Sequence, residues 1–407
     1  MIGITTLYAD RNTPSDGLRY GRQRMEGVRP RDVVTTTPPE SAALRRPVVV
    51  WNVGRRCNLH CVHCYSDSSN RPYAGELDTE QGLALLEDLA DFGIPVLLFS
   101  GGEPLMRPDL FELIAHARSL GLRTTLSTNG TLITHEVADR LRTLDVSYVG
   151  ISLDGIGITN DMFRGHKGAF DKAMAGFRHC KAVGQRVGLR MTLTRRNCHD
   201  LDRIFDFIEA EEIDRACFYH LVYSGRGRSS DELTVDVART AVDTILRRTR
   251  AFADRGLRKE IFTVDNHADG PYLYLKLLEE DPARAADVLA LLRWNGGGLN
   301  SSGVGIADID FLGNVHPDQF WMQHTLGNVN ERPFSAIWQD LSDPLLAGLR
   351  DRAPLLKGRC GSCRWKDVCG GGFRVRALQV HGDPWAQDPG CYLTDEEISR
   401  HTEESAV

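Results

Sequence analysis

Two groups of cysteines carry the strongest chemical signal in this chain. Cys57, Cys61 and Cys64 stand in Arg56-Cys57-Asn58-Leu59-His60-Cys61-Val62-His63-Cys64-Tyr65, a C-x3-C-x2-C pattern. Three thiolates in one compact loop can ligate three irons of a cubic iron–sulfur cluster and leave the fourth iron without a protein ligand. An open metal position admits a substrate or cofactor, as it does in catalytic zinc sites. The same cysteines with His60 or His63 also suit zinc, so on their own they leave both readings open. The second group is Cys360, Cys363, Cys369 and Cys391, spaced C-x2-C-x5-C-x21-C. Its four thiolates suit zinc and an iron–sulfur cluster equally.

The chain has ten cysteines, and seven lie in these two groups. In a reducing compartment clustered cysteines read as metal or catalytic sites rather than disulfides. Cys180, Cys198 and Cys217 are scattered, and each reads as a small buried or half-buried residue. Three further stretches hold polar residues fit for a ligand. Phe99-Ser100-Gly101-Gly102-Glu103-Pro104 combines glycines, which let backbone approach a ligand closely, with a carboxylate that can meet an ammonium group. Ser127-Thr128-Asn129-Gly130 and Ser152-Leu153-Asp154-Gly155 are the other two, although short polar residues also make ordinary turns.

All these stretches must be positioned by regular elements. Apolar runs starting at Val48, Pro95, Leu122, Tyr148, Val187 and Ala216 read as six buried strands. Helical patterns separate them, beginning near Asp78, Asp109, Thr134, Gly168 and Leu201. Such alternation implies an α/β fold with parallel strands and right-handed crossovers. Six units are too few for a closed eight-fold barrel, so a partial barrel is expected, with its ligands at the C-terminal strand ends. The cysteine loop and the three polar stretches all fall at such ends.

With 407 residues and 42% hydrophobic content the chain can bury a large domain and a small one. Residues 1–46 read as a loosely packed N-terminal extension and 47–256 as the barrel core, whose last helix covers about 231–256. Residues 257–300 read as a less regular connection ending in Asn295-Gly296-Gly297-Gly298, and 301–407 as a small metal-binding domain. A strand pair is expected at Gly305 to Asp310 and from Val315 onward, turning at Gly313-Asn314. The net charge of −6 gives no sign of a nucleic-acid surface. There is no apolar run of membrane-spanning length, and Asp10, Arg11 and Asp16 break any signal-peptide pattern. A cytoplasmic protein without a nucleic-acid or membrane partner is expected.

The cysteine loop after strand one and Gly-Gly-Glu-Pro after strand two together resemble the radical S-adenosylmethionine (SAM) superfamily. The resemblance implies a (β/α)6 TIM-like partial barrel and a [4Fe-4S] cluster on Cys57, Cys61 and Cys64. Its free iron would chelate SAM, which is reductively split to a 5′-deoxyadenosyl radical. The resemblance carries Gly101, Gly102 and Glu103 onto the methionine amino group and His63 onto the adenine side, with Ser127, Ser152 and Asp154 as further SAM contacts. Arg190 and Thr194 are weaker additions. The second cysteine group resembles a SPASM or twitch extension. No cysteine lies between 301 and 330 and Phe373 is not cysteine, so one auxiliary [4Fe-4S] cluster with four protein ligands is expected. An external electron donor, such as a ferredoxin or flavodoxin, is implied.

Several longer stretches narrow the branch. They are Leu18-Arg19-Tyr20-Gly21-Arg22, Val49-Val50-Trp51-Asn52, His63-Cys64-Tyr65-Ser66-Asp67, Thr263 to Gly270, Asn314 to Trp321, and Phe373-Arg374-Val375-Arg376. They resemble the tetrapyrrole-modifying enzymes of alternative heme biosynthesis. One group there removes acetate chains from 12,18-didecarboxysiroheme to give iron-coproporphyrin III, and this chain leans towards it. Another removes propionate chains from the same substrate on the way to d-type heme. An anionic iron macrocycle needs cations and accepts an axial ligand. Candidate contacts are His267, His316, Arg374 and Arg376, with Arg195, Arg196, Arg226, His220 and His324 behind them. A rival, maturation of a ribosomal peptide, would need a peptide-binding module, and none is evident in residues 1–46.

Overall fold

The computed structural model describes residues 1–16 and 46–399. The Leu18 to Arg22 stretch lies outside them. The described residues form two compact units. The larger joins residues 46–231 to 302–349, and the smaller joins 1–16 to 232–301 and 350–399. Strands are numbered along the chain. β1 (Ile2–Gly3) and β8 (Glu260–Val264) lie in the smaller unit.

In the larger unit β2 (Val48–Asn52), β3 (Leu97–Ser100), β4 (Thr124–Thr128), β5 (Tyr148–Ser152), β6 (Val187–Leu193) and β7 (Arg215–His220) pair in parallel, each with the next. β2 shows why: Val49, Val50 and Trp51 are all buried, and a β-branched, apolar run fits a strand covered on both faces. Parallel neighbours need long crossovers, and the helices Thr79–Phe92, Leu110–Ser119, His135–Thr143, Ala169–Ala182 and Leu201–Ala210 supply them. The first of these starts at a reciprocal cap between Asp78 and Gln81 and stops at left-handed Gly93. This is the partial barrel expected from the strand–helix alternation.

The register sets the site. Asn52 lies beside Ser100, Ser127 beside Gly150, and Ser152 beside Arg190. The C-terminal ends of successive strands therefore share one rim, where ligands of parallel sheets bind. β9 (Ile306–Ile309) and β10 (Asn314–His316) form the expected antiparallel pair, and β11 (Gly327–Asn328) adds to β10. β9 also pairs in parallel with β2, Trp51 beside Ile309. Residues 302–349 thus belong with the barrel strands rather than with the second cysteine group, so the structural division departs from the linear one expected at 301.

In the smaller unit β1 runs antiparallel to β8, Ile2 opposite Thr263. Ile4 and Leu7 are fully buried in the helix Ile4–Leu7, and Thr5 Oγ1 donates to Lys259 O at 2.8 Å. The first residues are therefore core, not a loose extension. The long helix Val235–Asp254 follows the reading at 231–256. The stretch expected to be irregular instead holds β8 and the helices Asp269–Glu280 and Pro282–Asn295. All five β8 residues are buried, so no alternation marks the strand. The short helices Gly358–Ser362 and Lys366–Cys369 carry Cys360 and Cys369, Cys363 caps the first of them, and Cys391 lies in irregular chain beyond the helix Arg374–His381. Among the described residues no helix is long and apolar enough to cross a membrane.

Candidate functional site

Cys57, Cys61 and Cys64 pack into one small cluster with Leu59 and Ala169. The glycines after β3 hold their loop. Gly102 N donates to Gly54 O at 2.8 Å and Glu103 N to Arg56 O at 2.9 Å. A Cβ on Gly101 would stand 2.4 Å from Gly54 O, and one on Gly102 would stand 2.3 Å from Arg56 O. The close backbone approach expected towards a ligand is made here to the cysteine loop itself. Arg226 braces the same loop, its Nε donating to Cys61 O at 2.7 Å and its backbone N to Cys64 O at 2.9 Å.

The sulfurs are met by N–H donors. Leu59 N lies 3.4 Å from Cys57 Sγ, Ser68 N 3.5 Å from Cys64 Sγ, and Arg164 Nη1 3.4 Å from Cys61 Sγ. Asn129 Nδ2 points at Cys57 Sγ from 3.9 Å. Donors aimed at sulfur favour thiolates, which iron–sulfur clusters require. Burial pushes the Cys57 thiol up to about 12 and also raises that of Cys61, so metal must displace protons to bind. The residues present fit an iron–sulfur cluster.

At the next strand ends, Glu103 is 2% exposed. It accepts from Thr128 Oγ1 at 2.7 Å, Asn129 N at 2.8 Å and Leu105 N at 3.2 Å. Burial pushes its carboxyl up, while these three bonds oppose the shift. A carboxylate has about four acceptor positions, so one remains for an incoming donor. Ser127 Oγ accepts from Arg190, whose Nε reaches Tyr219 OH at 2.9 Å. Thr194 Oγ1 is taken by Asn197 at 3.1 Å. Asp154 is 1% exposed, and its Oδ1 accepts from Thr192 N at 2.7 Å. Its Oδ2 lies 2.5 Å from Arg164 Nη2 and 3.5 Å from His63 Nε2. Burial lowers the His63 pKa, with Asp154 opposing. Cys61, His63 and Asp154 thus meet around Arg164, a residue that no spacing pattern marks.

The second group lines a cavity of about 150 Å³, with all four cysteines on its wall. Again N–H groups meet sulfur: Trp365 N to Cys363, Asp388 N to Cys360 and Arg359 Nη1 to Cys391, each at 3.4 Å. A cavity rimmed by four such cysteines fits a cluster with four protein ligands. Gly298 explains the glycine-rich stretch, because a Cβ there would lie 1.8 Å from Cys369 O. Among the described residues no three His, Cys, Asp or Glu side chains close on a single ion-sized point.

Arg374 and Arg376 are fully buried beside the second group. Arg376 holds Asp388 and donates to Asp265 O at 2.8 Å, and Arg374 donates to Pro384 O at 3.0 Å and Ala386 O at 2.5 Å. These donors all meet oxygens of the protein itself. His267 stacks on Phe373 at 5.6 Å, and burial lowers its pKa to about 3. In the larger unit His316 is buried, with Nδ1 2.7 Å from His324 O and Nε2 3.5 Å from Asp310. Arg195 and Arg196 are exposed and pair with Asp231. His324 Nε2 meets Asp343 at 2.9 Å, and His220 is buried at the end of β7.

Known proteins share the sequence pattern and the fold. A family profile described as the radical SAM superfamily matches residues 51–208. The solved structure of Streptococcus suis SuiB bound to S-adenosylmethionine superposes with a TM-score of 0.66, at 20% identity, covering 86% of this chain and 78% of that one. At that identity it speaks for the fold alone. Fe-coproporphyrin III synthase of Methanosarcina barkeri is 54% identical over 403 residues, 98% of this chain and 99% of that protein. Pre-heme d1 synthase of Dinoroseobacter shibae is 46% identical over 373 residues, 90% of this chain and 91% of its own. Identity sustained over the whole length goes beyond a shared fold, and the chain belongs to the radical SAM superfamily, in its heme-biosynthesis branch of enzymes that act on tetrapyrroles.

Proposed function

We propose that this enzyme removes the acetate side chains of 12,18-didecarboxysiroheme to give iron-coproporphyrin III. One observation carries the reading: identity to Fe-coproporphyrin III synthase is 54% over nearly the whole chain, against 46% to pre-heme d1 synthase. Cys57, Cys61 and Cys64 hold a [4Fe-4S] cluster, and Cys360, Cys363, Cys369 and Cys391 hold an auxiliary one. When bound, the first cluster and SAM supply a 5′-deoxyadenosyl radical after one electron arrives from a ferredoxin or flavodoxin. Glu103 offers its remaining acceptor position to the methionine ammonium. Gly101 and Gly102 keep the cysteine loop at the mouth of β3, so ammonium site and cluster share one rim. His63, Ser127, Ser152 and Asp154 stand at the neighbouring strand ends as SAM contacts. Arg374 and Arg376 support the auxiliary site, and we assign them no substrate contact.

The test is oxygen-free reconstitution with iron, sulfide, SAM, a reductant and didecarboxysiroheme. Loss of two acetate chains in the product mass, together with 5′-deoxyadenosine, is expected. Serine at Cys57, Cys61 or Cys64 abolishes 5′-deoxyadenosine. The 46% identity to pre-heme d1 synthase favours a second reading, loss of propionate chains, and the same product mass separates the two.

A further inference from the structure

Arg164 ends the helix Ile158–Arg164 and is 7% exposed. Its backbone and Phe163's are zipped to the cysteine loop: His60 N donates to Arg164 O at 3.1 Å, and Val62 N to Phe163 O at 2.9 Å. Gly165 makes that approach possible. It is left-handed, and a Cβ there would stand 2.5 Å from His60 O. The helix end thus places the guanidinium against Cys61, with Nη1 3.4 Å from its sulfur and Nη2 2.5 Å from Asp154.

An arginine stays cationic when buried. Reduction adds a negative charge to a cluster, and a cation held against a ligand sulfur favours that state, more so where water is excluded. The carboxylate on the other side of the guanidinium works against it. We infer that Arg164 is a positioning residue that pins Cys61 and raises the reduction potential of the N-terminal cluster, with Asp154 as its counterweight. The inference rests on the reading that Cys57, Cys61 and Cys64 hold that cluster. It concerns the ease of electron entry, a property separate from substrate choice.

The test is a potentiometric titration of the full-length, reconstituted protein followed by electron paramagnetic resonance. The N-terminal cluster is recognised as the signal that SAM perturbs. Arg164→Met is expected to lower the reduced-to-oxidised ratio of that cluster about tenfold at a fixed potential, or about 59 mV for one electron. Arg164→Lys keeps the charge and recovers most of the shift. Asp154→Asn moves the potential the other way. The inference is overturned if Arg164→Met and Asp154→Asn keep full iron and titrate with the wild type, or if both shift in one direction. Should Arg164→Met fold but lose its iron, Asp154→Asn decides alone: an upward shift supports the inference, and no shift or a downward one overturns it. A wild type without a SAM-responsive signal defeats the cluster reading instead.

Discussion

Arg376 and Asp388 meet through two parallel hydrogen bonds of 2.9 Å, both side chains shut away from solvent. The backbone N of Asp388 donates to Cys360 Sγ, and its Oδ2 accepts from Phe373 N at 2.7 Å. One carboxylate therefore ties a buried cation to the wall of the second cysteine cavity. Burial alone would raise its pKa, but Arg376 holds it below the usual range. Arg376→Met leaves that charge unpaired and is expected to cost about 3–5 kcal/mol. Oxygen-free denaturant unfolding with iron analysis checks this. Because the folded pKa is depressed, the stabilisation is present above the unfolded value of about 3.9 and fades as pH falls through the folded one. Asp388→Asn should flatten the acid limb of the stability curve.

Two glycines should separate the two cysteine groups. Gly102→Ala drives a Cβ into Arg56 O, and Gly298→Ala drives one into Cys369 O, backbone atoms that cannot swing aside. Overpacking of this kind costs about 1–3 kcal/mol or more. Gly102→Ala is expected to lose the SAM-responsive signal and keep the auxiliary iron, and Gly298→Ala to do the reverse. Equal loss of both signals from each variant would contradict the assignment of separate supports.

His316 should make stability fall as pH rises above about 6.5. Burial lowers its pKa, but the Asp310 contact and the Asp308 charge outweigh this and raise it. A raised folded value gives a stabilisation that is full below about pH 6.5 and is lost as pH rises through the folded value. His316→Gln should remove that slope. Denaturant midpoints from pH 6 to 9 measure it, and an unchanged slope in the variant would show that another group is responsible.

Cys391→Ser tests the proposed auxiliary cluster by itself. It should lower iron by about four atoms per chain, the content of one cubic cluster, and leave the SAM-responsive signal in place. Unchanged iron would remove Cys391 from the ligand set.

The parallel strands from β2 to β7 were readable because each apolar run is local and each helix between them announces its own start, as Asp78 does with Gln81. β8 was not, because full burial erases alternation, and neither was the place of Ile2, Gly3 and Thr5, whose partners lie more than 250 residues away. The burial of Arg374 and Arg376 was not legible either, because charge shows in a sequence and burial does not.

The order of residues alone determined the two cysteine groups, the strand-end motifs and the fold class, since each depends on short spacing or on a local period. Tertiary structure decided what those residues touch. It turned Gly101 and Gly102 against the cysteine loop, brought Arg164 to Cys61 from across the rim, and set β9 beside β2. The physical reason is that hydrogen bonds and burial depend on distance in space, and chain separation carries no record of which strand ends will meet.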